Sequence, residues 1–192
     1  MLTRESLYSL EKYSELRNQF RQKVMEHKRN RRLMLGTNAT LYFEDQMTMQ
    51  YQVQEMLRIE KIFEADAIQE ELDAYNPLIP DGSNWKATFM VEFPDAVERK
   101  AMLTRLIGVE NKTWLQVGDL PKILPIADED LERSDDEKTS AVHFLRFELT
   151  EEQVQQLKDG AELAAGIDHD VYQVEIRPVA ENIRLSLLND LD

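Results

Sequence analysis

Four side chains in this sequence have the types and settings from which chemistry could be built: His27, Glu60, His143 and His169. With three histidines and no cysteine, thiolate nucleophiles, disulfides and sulfur-ligated metal sites are excluded. Imidazole nitrogens with a carboxylate remain, a donor set that suits a single iron, zinc or manganese ion. On this reading His143, His169 and Glu60 are ligands, with His27 as a fourth. No local motif ties the four together, since they come from four separate elements. The competing reading is structural. Each histidine is a core or rim residue, and Glu60, set among Val53, Met56, Leu57 and Phe63, is salt-bridged at a helix seam. A bare buried carboxylate costs several kcal/mol, so Glu60 asks for a histidine, a cation, or an arginine such as Arg58 or Arg146.

A second constellation concerns partners. Tyr51, Glu55, Arg58 and Ile62 share a helix face opposite Glu60, and a helix apolar on two sides is either sandwiched internally or meets another chain. A protein partner or a second copy of the chain would dock there, with the loop at 76–84 beside it. Phosphate-binding glycine loops, the nucleophile elbow of serine hydrolases and the paired-histidine zinc helix are all missing, so no catalytic residue is assigned.

The elements that would position these residues follow from periodicity. Thr3 is a plausible N-cap, and Leu7, Leu10, Tyr13, Leu16, Phe20 and Val24 form one stripe of a helix that ends by Gly36 after the basic turn "KRNRR". "ATLYFED" reads as a short strand, Asp45 to about Glu64 as a second long helix, and "AIQEELDAY" as a third that stops before Pro77. "NPLIPDGSN" is the clearest boundary. Beyond it the period changes to two. Residues 85–93 form a strand and 95–107 a helix, and "KTWLQV" and "KILPIA" a hairpin with Pro125 on an edge. The acidic run 128–138 reads as a solvated loop. "SAVHFLRFELT" (140–150) places His143, Leu145, Phe147 and Leu149 on one face and leads into a helix capped by Thr150 and Gln153. Two more strands and a C-terminal helix opened by Pro178 complete an α+β fold, its N-terminal helices packed on a largely antiparallel sheet. One domain over 1–192 is expected, mainly helical over 1–76 and mixed over 84–192.

Charge narrows the function classes. Residues 1–36 carry a net +5 within a chain of net −14, which leaves −19 on the rest. So acidic a body repels phosphate backbones, and nucleic acid is an unlikely partner even for "HKRNRR". The N-terminus is charged from Arg4 and offers no apolar signal-peptide core, and no run is long enough to cross a membrane. A reducing cytoplasm fits the absence of cysteine.

The blocks "QEMLRIEKIFE", "EELDAYNPLIPDG", "IADEDLERSDDEKTSAVHFLRFELT" and "GIDHDVY" resemble a bacterial family of uncharacterised proteins, domain-of-unknown-function family 3501, over nearly the full chain. The resemblance implies an association with rubrerythrin-like di-iron proteins and iron–sulfur oxidoreductases. On that basis the chain is expected to be an accessory or binding protein beside a redox partner, with a metal-binding protein or metal-dependent enzyme as the alternative. It is not a copy of either partner class. Without cysteine it cannot hold a cysteine-ligated cluster. The Glu-x-x-His ligand pairs of di-iron bundles are also missing, since Val24, Ser140 and Gly166 stand three residues before the histidines.

Overall fold

The structure, a computed structural model, describes residues 1–192. It is an α+β fold with six α-helices and two antiparallel sheets. The chain divides into two compact units. The first comprises Met1–Asn30 and Glu44–Pro80, the second Arg31–Phe43 and Asp81–Asp192.

The first unit is helical. Thr3 caps only a short 3-10 turn, Arg4–Ser6. Helix α1 (Leu10–Arg29) starts at Ser9, whose hydroxyl accepts from the Lys12 N–H at 3.2 Å. Helix α2 (Gln46–Glu60) begins with a reciprocal cap. Asp45 accepts from the Thr48 N–H, and the Thr48 hydroxyl accepts from the Asp45 N–H, both at 2.9 Å. It ends at Lys61 in a left-handed conformation, four residues before the sequence pattern suggested. Helix α3 (Ala65–Tyr75) follows. Met49, Val53 and Leu57, spaced by four, pack with Leu2, Leu72 and Ile79 into this unit's core.

In the second unit the first sheet has the order β1 (Arg32–Met34), β2 (Ala39–Glu44), β3 (Asn84–Val91), β6 (Val142–Glu148), β5 (Ile126–Ala127). Strand β1 replaces the expected last turn of the first helix. From Arg32 the burial alternates, with Leu33 and Leu35 in and Arg32 and Met34 out, and Gly36 makes the hairpin turn at φ +76° instead of capping a helix. The second sheet is β4 (Thr113–Val117), β7 (Leu163–His169), β8 (Tyr172–Ile176). The expected hairpin between "KTWLQV" and "KILPIA" does not form. Only Leu115 and Ile123 bridge there, while β4 pairs with β7 and β5 pairs with β6. Pro121 and Pro125 lack the N–H groups a longer strand would need. Helices α4 (Ala96–Arg105), α5 (Glu151–Lys158) and α6 (Glu181–Leu188) complete the unit. Both sheets contribute to one core that includes Phe43, Trp85, Phe89, Phe147, Leu163 and Ile167. No helix is long and apolar enough to cross a membrane.

Candidate functional site

Strand β6 alternates between half-buried and buried residues along its length, and His143 takes the first buried position, fully enclosed. Its neighbour across the sheet is Phe89, paired in register, with ring centroids 6.2 Å apart. Asp128 follows directly on β5 with a φ of +51°, a backbone conformation that non-glycine residues adopt only where the surroundings hold them in it. The Asp128 N–H donates to the Phe144 carbonyl at 2.8 Å, and its Oδ1 accepts from the Phe144 N–H at 2.9 Å. That leaves Oδ2 to accept from Nδ1 of His143 at 2.6 Å. Arg133 backs the carboxylate at 3.4 Å, is held by both oxygens of Asp130, and lies over the Phe144 ring.

On the other side of the imidazole, Nε2 faces the Thr139 hydroxyl at 2.9 Å and the Ser140 carbonyl at 3.1 Å. Thr139 Oγ1 lies 2.8 Å from Ser134 Oγ, which donates to Glu110 Oε1 at 3.4 Å. Glu110 stands in the 3-10 turn Val109–Lys112, its side chain 7% exposed, with Oε2 unpartnered and 3.9 Å from Nε2. With Nδ1–H given to Asp128, a neutral ring accepts a hydrogen bond from the Thr139 hydroxyl at Nε2, and the single Ser134 proton is then shared between Thr139 and Glu110. A second ring proton would turn to the Ser140 carbonyl and free the Thr139 hydroxyl to donate to Ser134. The acid–imidazole–hydroxyl order is that of a nucleophilic triad. Thr139, however, is 2% exposed, so the chain of hydrogen bonds ends inside the protein. Its effect is to fix segment 128–140 against β6 and the Glu110 turn.

The helical unit carries an open groove of about 460 Å³ whose apolar lining is Leu7, Leu10, Leu57, Ile62, Phe63 and Ile68. Phe63 is 66% exposed at its edge, and Ile59 nearby is 64% exposed. Arg4, Glu5, Ser9 and Glu11 line it as well, and a groove with several apolar side chains edged by charges is a form that peptide-binding surfaces take.

A family model described as "Protein of unknown function (DUF3501)" matches residues 1–191. The chain belongs to the DUF3501 family. Among solved structures it is similar to a novel protein of unknown function from Burkholderia pseudomallei K96243. The two are 49% identical over 100% of this chain and 99% of that one, with a TM-score of 0.94. No curated protein matches the chain.

The DUF3501 fold does not assemble the four residues singled out by type, and no group of three or more metal-ligating side chains gathers anywhere in it. His27, in the last turn of α1, places Nε2 2.5 Å from Asp45 Oδ2. His169 ends β7 with Nε2 3.1 Å from the Ile107 carbonyl, while its Nδ1 accepts from the Val171 N–H. Glu60 is exposed, because α2 stops there before another buried turn can form. The expected buried carboxylate is thus corrected, and the buried ones are Glu44 and Glu110. The proposed partner face is also corrected in part. Glu55 accepts from Arg17 at 2.7 and 2.8 Å and from the Tyr13 hydroxyl at 2.7 Å, and Tyr51 packs on Phe20, so these two face α1. Arg58 stays outward, 3.6 Å from Glu55, and Ile62 lines the groove. Asp128, Ser134 and Thr139 went unread because they lie in an acidic stretch that looks solvated. Only the sheet brings them to His143.

Proposed function

We propose that this DUF3501 chain is a binding protein that takes an apolar, basic-flanked segment of a partner polypeptide into the groove of its helical unit. The observation that carries this reading is the groove itself, in which six apolar side chains stand beside Arg4, Glu5 and Glu11 and which a two-thirds exposed phenylalanine edges. The charge of the occupant follows from α3, whose Ile68 lines the channel. That helix carries Asp66, Glu70, Glu71 and Asp73 and no base. Burial first, and then Glu60 and Glu70 alongside, pushes the Glu71 carboxyl above its ordinary range, in keeping with an acidic surface on this helix. A helix with leucines on one face and lysines on its flanks satisfies both features.

Two synthetic amphipathic peptides of identical apolar pattern, one leucine/lysine and one leucine/glutamate, test the reading by calorimetry. The lysine peptide is expected to bind saturably, more weakly as salt rises, and about tenfold more weakly to Phe63→Asp. Val97→Asp, at an exposed position of the second unit, serves as the control and leaves the affinity unchanged. Equal binding of both peptides, or indifference to Phe63→Asp, would overturn the proposal.

A further inference from the structure

A second cavity, of about 320 Å³, lies in the second unit, and we infer that it binds a small multiply charged oxyanion, a phosphate or polycarboxylate group. It is lined by Ala96, Arg99, Lys100, Leu103 and Lys138. The first four stand at helical spacing on one face of α4, and Lys138 faces them from the loop before β6. The unit holds 14 Lys/Arg against 24 Asp/Glu, a net of −10, and six of its cations form ion pairs with carboxylates. Arg31 pairs with Asp190, Lys122 with Asp168, Arg133 with Asp130, Arg146 with Glu129, Arg177 with Glu162 and Arg184 with Glu181. Arg99, Lys100 and Lys138 share one cavity without an acid in its lining, and their mutual repulsion is relieved by an anion bound among them.

The cations are also held in place. One arm of the Arg99 guanidinium donates to the Phe93 carbonyl at 3.3 Å, a tether to a buried residue. Lys138 is fixed through its neighbour. The Thr139 N–H donates to the carbonyl of Leu103, itself a lining residue, and the Thr139 hydroxyl is locked between His143 and Ser134. Asp135 lies near Lys138, but its carboxylate accepts the N–H groups of Glu137 and Lys138. The His143 network therefore acts as a positioning device for this cavity, which gives the buried relay a purpose its inaccessible hydroxyl denies it as a nucleophile. The site is independent of the groove in the helical unit.

The test is an amide-resolved NMR titration of the full chain with inorganic phosphate, ribose 5-phosphate and citrate, each against chloride at matched ionic strength. Saturable shifts confined to residues 96–103 and 138–139 are expected. They should weaken about tenfold or more in the double variant Lys100→Gln/Lys138→Gln and stay unchanged in Lys112→Gln. Thr139→Val, which touches no anion, should weaken binding, and Thr139→Ser should restore it. Saturation by both phosphates assigns a phosphate site, and saturation by citrate alone assigns a polycarboxylate site. Shifts that grow without saturating, that chloride reproduces, or that survive the double lysine substitution would overturn the inference.

Discussion

Glu55 takes two hydrogen bonds from Arg17 and one from Tyr13, and these hold its carboxyl down at about 2, against burial that pushes the other way. Because the folded value lies below the unfolded one, the contribution to stability is fully present above about pH 4.5 and is lost as pH falls through about 2. Glu55→Gln is therefore expected to lower stability by about 1–2 kcal/mol at pH 7, after discounting for solvent at this partly open site. Urea titrations at descending pH should show wild type and variant converging towards pH 2. At the same scale, sequence reasoning recognised that His143 occupies an apolar register but could not name what it touches. Its partners Asp128, Thr139 and Glu110 lie between 4 and 33 residues away, and each looks on its own like a loop residue. For Glu60 the reasoning failed in the opposite direction. A helix-wheel position predicts burial only while the helix continues, and α2 ends at that residue.

Among the elements, cross-strand packing decides what periodicity cannot. Strands β3 and β6 were legible from alternation, "AELAAGI" and "VYQVEI" as strand candidates for β7 and β8, and α5 from its capping pair Thr150 and Gln153. Strand β1 was not, because three residues with an exposed arginine continue the basic tail of a helix until tertiary pairing with β2 overrides them. Pairing partners were equally hidden, as the fate of "KILPIA" shows. Gly166 carries a sharper constraint. Its cross-strand neighbour is Trp114, whose ring lies over it with the Lys122 ammonium 3.8 Å from the ring centroid. A Cβ there would stand 2.4 Å from the indole and 2.5 Å from the Val174 carbonyl. Gly166→Ala is expected to cost about 2–3 kcal/mol and to shift Trp114 fluorescence, whereas Gly108→Ala meets no atom within 4 Å and pays only for its positive φ. Equal losses of stability in the two variants would contradict this packing.

For the whole molecule, the sequence correctly suggested α+β, but not that Arg31–Phe43 belongs with the later sheet. Composition could not reveal this, since a hairpin's allegiance is set by the strand that pairs with it. Hydrogen exchange offers a direct check. The amides of β1 and β2 should exchange in step with β3 and β6, not with α1 and α2, which flank them in the chain. Exchange in step with the flanking helices would refute the division. The chain passes from one unit to the other after Asn30, after Phe43 and after Pro80. During synthesis, α1 therefore emerges before the helix it packs against, with the whole hairpin still to be made in between. The hairpin in turn waits, with Leu33 and Leu41 uncovered, until β3 has left the ribosome some forty residues later. Neither unit can be finished on the nascent chain before the other has begun. A fragment stopped near residue 80 would release an apolar hairpin with no sheet to join, and is expected to aggregate where the full chain does not.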